Sequence, residues 1–192
     1  MNKKELILAV ILIGAGILSR TIFKIAPNFE LVTSLSVAAS YFLRNTKLAV
    51  AVPLLIMVIS DLIIGNSLIF IFTWSGFMAI PLITKFFLPD RKNAKKETRF
   101  LKLASLGMLS GITAILIFFL WTNLGVVIVS EMYTRNLEGL TMSYINALPF
   151  LHNQLAASII YIPVVFGFIK ILYTNKWAAA EKRILTSRLF RG

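Results

Sequence analysis

The chain has 192 residues, 58% of them hydrophobic, and a formal net charge of +12. Soluble domains contain only about 45–50% apolar residues, and the excess here lies in long uninterrupted runs. We therefore expect an all-α polytopic membrane protein with one domain. Cysteine is absent and histidine occurs once, which excludes disulfides and metal sites built from thiolates or several histidines. The basic residues lie between the apolar runs, so the positive charge indicates membrane lipids and not nucleic acid as a partner.

Six apolar segments approach the length of about 20 residues that a transmembrane helix needs. They cover approximately Glu5–Phe23, Phe29–Leu43, Leu48–Ile64, Leu68–Leu88, Phe100–Val129 and Asn146–Tyr173. We expect these six transmembrane helices to form one bundle over residues 1–173, followed by a basic tail over residues 174–192. The second segment is short, and whether it spans the membrane completely is open. The first segment resembles a signal peptide, but no small-residue cleavage site follows it, so we expect it to be retained.

The basic residues set the expected orientation. With the N-terminus inside, all of the 20 Lys and Arg residues except Arg20, Lys24 and Arg135 fall on the cytoplasmic side, as the positive-inside rule requires. We therefore predict a multi-pass protein of the inner (plasma) membrane with both termini in the cytoplasm. The loop Pro89–Arg99 is expected to contact anionic lipid headgroups or an acidic partner. The tail is expected to form a basic amphipathic helix on the inner leaflet.

Polar side chains inside the apolar segments concentrate on the outer side. Because such groups are costly in lipid, they usually face the interior of the bundle or a cavity. We therefore predict that the outer ends of the helices hold a substrate-binding site. Its candidate residues are Arg20, Asn28, Asp61, Trp74, Trp121, Asn123, Tyr144, His152 and Asn153. The stretch Trp121–Asn153 would supply the later half of the pocket, with Glu131–Glu138 as a mobile lid.

Most of these residues also have a purely structural interpretation. Arg20 would extend to the outer interface, and the two tryptophans would anchor their helices there. Asp61 needs a cationic partner, which Arg20 or Lys24 could supply at the same depth, and such a pair could be structural or could bind a ligand. His152 alone is typical of a hydrogen-bonded contact between helices.

Small residues on two segments mark close helix contacts. Gly107 and Gly111 are four residues apart on the fifth segment, and Ala9 and Gly16 lie on the first. These four positions either pack against other helices of the bundle or form a docking face for another subunit.

Motifs of common enzymes are absent. The chain lacks the Gly-x4-Gly-Lys-Ser/Thr phosphate loop and the His-Glu-x-x-His zinc motif. Ser67 or Ser75 with His152 would match an intramembrane serine protease only incompletely. We therefore expect no enzymatic activity and no cofactor, with an intramembrane enzyme kept as a minor alternative.

An ordered set of residues along nearly the whole chain resembles the substrate-binding S components of energy-coupling factor (ECF) transporters, and more narrowly a bacterial family of that type. The set comprises Arg20 with Pro27, Asn28 and Phe29; Pro53 with Ser60 and Asp61; Trp121, Thr122, Asn123, Leu124 and Gly125; Tyr133 with Gly139, Leu140 and Tyr144; and Ala147, Pro149, Phe150 and Asn153. The resemblance implies a six-helix protein that binds a vitamin-like micronutrient on its outer side. It also implies a transmembrane coupling subunit and ATPase subunits as partners, which agrees with the missing ATPase motif.

The chain departs from S components in one respect. Many of them carry Ala-x-x-x-Ala on the first helix to dock the coupling subunit, but here Ile13 follows Ala9 at that spacing. Ala9 and Gly16 are only a partial substitute. A non-transporting scaffold of the same fold, like the cell-shape membrane protein MreD, is therefore the alternative function.

Overall fold

A computed structural model describes residues 3–65, 67–89 and 100–189, with side chains as far as residue 172. Within these ranges the chain folds into six α-helices, which confirms the all-α class. The helices are α1 (Lys3–Thr21), α2 (Val32–Phe42), α3 (Thr46–Ile64), α4 (Phe70–Phe87), α5 (Phe100–Val129) and α6 (Leu137–Leu189). Most of the basic loop Pro89–Arg99 lies outside the described residues, so its expected lipid contact is not addressed.

Four helices are long and apolar enough to cross a membrane: α3, α4, α5 and the part of α6 over Leu137–Leu172. The protein is therefore a membrane protein. Helix α1 is as long as α3, with 19 residues, but charged residues at both of its ends lower its apolar character. Helix α2 has only 11 residues, which gives it a length of about 16 Å.

The ends of the helices follow local capping signals. The Asn45 side chain accepts hydrogen bonds from the backbone N–H groups of Lys47 and Leu48 and so starts α3. The Asn136 Oδ1 accepts from the Gly139 N–H at 2.8 Å, which is the contact of an N-cap residue with the third residue of its helix. Helix α6 therefore begins at Leu137, earlier than the predicted Asn146. The predicted tail is helical and continuous with α6 as far as Leu189.

Helix α2 is the centre of the bundle. It packs against each of the other five helices, and nine of its 11 residues are buried. Small side chains such as Ser36, Ala38 and Ala39 let these neighbours approach closely, as in other membrane helix contacts. The hydroxyl of Ser36 donates to the carbonyl of Val32 at 2.6 Å, so this polar group is satisfied within its own helix.

The other helices form an arc around α2 in the order α1, α3, α4, α5, α6. Each helix of the arc packs against the next one, while the two ends, α1 and α6, share no close backbone contact in the described part of the chain. The fully buried side chains at the centre include Ile56 of α3, Ile80 of α4, Ile115 of α5 and Phe166 of α6. The arc is therefore open on one side, between α1 and α6.

The four small residues predicted for docking or packing lie inside this bundle. Ala9 is 1% exposed, and a Cβ added at Gly16 would overlap Ile56 of α3. A Cβ at Gly107 or Gly111 would crowd Ile162 of α6. The packing alternative accounts for all four placements, and a partner subunit could reach these positions only if the bundle rearranged.

Candidate functional site

An ion-pair network joins α1 to α3 at one end of the bundle. The Arg20 Nη1 lies 2.8 Å from Asp61 Oδ1, and the Arg20 Nε lies 3.1 Å from Glu30 Oε2. The Arg20 side chain is 13% exposed and that of Asp61 is 4% exposed. The partner expected for Asp61 is therefore Arg20. A buried carboxylate of this kind is stable only when a cation and hydrogen bonds replace its water.

Further hydrogen bonds fix both members of this pair. Nη1 of Arg20 also donates to the Ser60 hydroxyl at 2.6 Å and contacts the Met57 sulfur at 3.1 Å. The second oxygen of Asp61 accepts from the Trp74 indole N–H at 2.7 Å. Because Trp74 belongs to α4, the network ties three helices together. Hydrogen bonds to charged groups are about twice as strong as neutral ones, so this end of the bundle is held rigidly.

Glu30 is the member of the network that sequence reasoning missed. It lies in the connection between α1 and α2, outside the helices, with 20% of its side chain exposed. Burial raises the pKa of its carboxyl group, and the charge of Arg20 opposes this rise. Glu30 falls within the predicted apolar segment Phe29–Leu43, and an acidic residue in such a segment needs a partner. That signal could have found it.

A tight turn shapes the same connection. The backbone N–H of Phe29 donates to the carbonyl of Ala26 at 3.0 Å, and Asn28 has φ 58°. Pro27 followed by a positive-φ residue is the pattern of a type II turn, in which Asn is tolerated at the third position. The Pro27 carbonyl then accepts a hydrogen bond from Asn153 Nδ2 of α6 at 3.0 Å. Helix α6 therefore holds the turn across the open side of the arc.

This connection borders an open cavity of about 430 Å³, which we call the charged cavity. Its lining residues are Ser19, Arg20, Lys24, Ile25, Ala26, Pro27, Asn28, Phe29, Glu30 and Ile64. Arg20 and Glu30 pair with each other, whereas the exposed Lys24 forms no hydrogen bond or salt bridge with any described residue. The Asn28 side chain likewise has no hydrogen bond within the described ranges. Lys24 and Asn28 are therefore the groups with free capacity to bind a polar solute.

A second polar cluster joins α4, α5 and α6. The Trp121 indole N–H donates to the Ser75 hydroxyl at 2.9 Å. The buried side-chain amide of Asn123 donates to the carbonyl of Phe119 at 2.8 Å. The backbone carbonyl of Asn123 accepts from the Ser143 hydroxyl at 3.1 Å. The Tyr144 hydroxyl donates to the carbonyl of Leu120 at 3.0 Å. These side chains satisfy each other and nearby backbone groups, and none of them lines the charged cavity.

The structure therefore places the nine predicted binding residues in four different settings. Arg20 and Asn28 line the charged cavity, and three others support it from behind or from the side, namely Asp61, Trp74 and Asn153. The second cluster contains Trp121, Asn123 and Tyr144. His152 is exposed and makes no hydrogen bond or ion pair with the described residues. In the proposed lid, residues 130–136 form the irregular connection before α6, which Asn136 caps.

Comparison with known proteins places the chain in one family. DUF6580, a family of unknown function, matches residues 1–181, and the chain belongs to it. No curated protein and no solved structure matches the chain.

Proposed function

We propose that this DUF6580 protein is a membrane-embedded binding subunit that captures a small, vitamin-like micronutrient for uptake. The observation that supports it is the charged cavity, which lies at one end of an apolar bundle and carries three ionisable side chains. Its volume of about 430 Å³ falls within the range of about 300–1,000 Å³ that small-molecule sites occupy. Separate coupling and ATPase subunits would supply the energy, as in the ECF transporters that the sequence resembles.

The proposed topology has six membrane segments, both termini in the cytoplasm of the inner (plasma) membrane, and the charged cavity facing outward. Helix α1 has 19 residues and is about 28 Å long, close to the thickness of the hydrocarbon core of about 30 Å. Helix α2 would cross only part of the bilayer. Arg20 and Lys24, two of the three basic residues that would lie outside, both line the cavity. A ligand site accounts for these exceptions to the positive-inside rule.

Asn28 and Lys24 are the proposed contacts for the ligand. Arg20 would form part of the wall and hold Glu30 in place, while Asp61 and Trp74 would hold Arg20. Asn153 would keep the turn over the cavity. The four predicted docking positions are covered by the chain's own helices, so a coupling subunit would contact the exposed residues beside them, such as Val10, which is 61% exposed.

A scaffold function, like that of MreD, is the second candidate. One observation favours it: the network of Arg20, Asp61, Glu30 and Trp74 is satisfied internally, as a purely structural network would be. In a scaffold the charged cavity would carry no ligand, and the protein would associate with other membrane proteins only.

Lys24→Ala tests the binding function, because Lys24 is exposed and its removal leaves no buried group unpaired. The purified protein is analysed by mass spectrometry for small molecules that co-purify with it. We expect the wild type to retain a molecule at near-stoichiometric amounts and Lys24→Ala to retain less than about a tenth of it, since a charge-assisted contact contributes about 1.5–3 kcal/mol. Arg135→Ala is the matched control, because Arg135 is also basic and exposed but lies away from the cavity.

Equal retention by Lys24→Ala and Arg135→Ala would contradict the proposed site. A wild type that carries no small molecule, and that co-purifies with cell-wall proteins instead of a coupling subunit and ATPases, would favour the scaffold.

A further inference from the structure

The connection between α1 and α2 borders a second cavity, of about 300 Å³, which we call the apolar cavity. Its lining residues are Ala15, Leu18, Ser19, Phe23, Ile25, Phe29, Glu30, Leu31 and Tyr161. Nearly all of these side chains are hydrocarbon or aromatic. The apolar cavity therefore has a different chemistry from the charged cavity.

The two cavities are neighbours. They share the lining residues Ser19, Ile25, Phe29 and Glu30, all of which lie at the end of α1 or in the connection that follows. One short stretch of chain thus forms a wall of both cavities. A molecule seated on this stretch would meet ionisable groups on one side and hydrocarbon on the other.

The apolar cavity lies where the arc of helices is open. It is lined by α1 residues and by Tyr161 of α6, the two helices that share no close backbone contact in the described part of the chain. Side-chain contacts of the connection bridge this gap: the Phe29 and Tyr161 rings meet edge to face at 5.6 Å, and Asn153 binds the Pro27 carbonyl. The exposed Phe23 and Ile25 extend the apolar lining outward.

The charged groups around the two cavities favour an anionic head. Arg20 is shared between two carboxylates, so its charge is compensated within the protein. Lys24 forms no hydrogen bond or salt bridge with the described residues, and the Glu30 carboxyl group acts on it only through space. The free Asn28 amide in the same lining is a further hydrogen-bond donor. A carboxylate or phosphate would accept hydrogen bonds from both groups, whereas a cationic head would meet the charge of Lys24 and a Glu30 carboxyl group that already pairs with Arg20.

We infer that the ligand is an amphiphile with one anionic head and one hydrocarbon chain or ring. The head binds Lys24 and Asn28 in the charged cavity, and the apolar part lies in the apolar cavity between α1 and α6. This inference rests on the proposed binding function and adds the class of the ligand. It is an exogenous single-chain amphiphile and not a bilayer phospholipid, because two acyl chains exceed a cavity of about 300 Å³.

Binding of two carboxylates and one alkylammonium ion to the full chain in phosphatidylcholine nanodiscs tests this inference. The probes are acetate, octanoate and octylammonium, measured by titration calorimetry. Each buried methylene strengthens binding about fourfold, so we expect octanoate to bind at least about tenfold more tightly than acetate, and octylammonium to bind at least about tenfold more weakly than octanoate. Lys24→Ala should abolish the preference for octanoate over octylammonium.

Ala15→Leu fills part of the apolar cavity, and Gly14→Leu is its control, because a Cβ at Gly14 meets nothing within 4 Å. We expect Ala15→Leu to remove most of the octanoate advantage over acetate and Gly14→Leu to keep it. Phe23→Ser, at a position that is 65% exposed, makes the same wall polar without disturbing the packing, and it should also weaken octanoate binding.

Equal affinities for acetate and octanoate, or an octanoate advantage that survives both Ala15→Leu and Phe23→Ser, would overturn the amphiphile. In that case the loss of a co-purifying molecule in Lys24→Ala could still support the binding function with a wholly polar ligand. The octanoate titration is repeated in nanodiscs in which a tenth of the lipid is phosphatidylglycerol, to test for competition by an anionic lipid. Loss of octanoate binding there would assign the cavities to membrane lipid and would also overturn the inference.

Discussion

The two polar regions of the molecule use similar residues for different ends. Around Arg20, polar groups from α1, α3 and α4 support a loop and leave a cavity in front of it, with Lys24 unpaired among the described residues. Around Asn123, the side chains bind backbone carbonyls and one another across α4, α5 and α6. A polar residue at the end of a membrane helix therefore indicates a binding site only when its environment leaves a group free to bind something else.

Asp61→Ala should produce the largest loss of stability. It removes the carboxylate that binds both Arg20 and Trp74, and breaking a buried ion pair costs about 3–5 kcal/mol. We expect that decrease in the free energy of unfolding, measured by denaturant titration in detergent. Glu131→Ala, which removes an exposed carboxylate from the connection before α6, should change it by less than about 0.5 kcal/mol. Similar effects of the two substitutions would show that the Arg20 region is not held by this network.

Asn123→Ala should separate the two regions. The buried side-chain amide loses its hydrogen bond to the Phe119 carbonyl and a longer contact of 3.5 Å with the Ser143 hydroxyl, whereas the bond from Ser143 to the Asn123 backbone carbonyl stays. A lost hydrogen bond costs about 1 kcal/mol. We expect a decrease of about 1–2 kcal/mol in the free energy of unfolding and no change in the amount of co-purifying small molecule. Asn146→Ala removes an exposed amide that donates to the Tyr133 hydroxyl, and it should have a smaller effect on stability. Loss of the co-purifying molecule in Asn123→Ala would place this residue back in the binding site.

Asn153→Ala should have the smallest and most local effect. Its amide holds the Pro27 carbonyl, and the loss of this partly exposed hydrogen bond costs about 0.5–1.5 kcal/mol. We expect faster amide hydrogen exchange in the connection between α1 and α2, measured by mass spectrometry, with unchanged exchange in α5. His152→Ala is the matched neighbour, since His152 makes no hydrogen bond with the described residues. An equal increase in exchange for both variants would show that Asn153 does not hold the turn.

The sequence predicted the helices, because their positions depend on the spacing of apolar residues along the chain. It also grouped Arg20, Asp61 and Trp74 in one candidate site, and hydrogen bonds join these three side chains. It also predicted a cationic partner for Asp61, since an unpaired carboxylate there is too costly. Depth does not determine the direction in which a side chain points around the helix. Trp74 and Ser75 are adjacent in sequence, yet Trp74 joins the Arg20 network and Ser75 joins Trp121. Only the packing of α4 between α3 and α5 separates the two regions.

Two other differences arise from hydrogen bonds between residues that are near in the sequence. Glu30 falls in a predicted apolar segment, but the type II turn at Pro27 and Asn28 brings it against Arg20. The start of α6 was placed at Asn146, whereas Asn136 caps the helix and carries it through a polar stretch. In both cases a local hydrogen bond outweighs the hydropathy of the segment.

The shortness of α2 has an electrostatic consequence. With eight residues fewer than α3, it is about 12 Å shorter than its neighbour. The connection that carries Lys24 precedes its first residue and borders the charged cavity, a recess at this end of the bundle. The recess has apolar walls on its sides, and low-dielectric walls concentrate the field of a charge along the opening. The ammonium group of Lys24 therefore acts on an approaching anion from farther away than the same group would on a flat surface. Association at this recess should be faster in dilute salt than in concentrated salt.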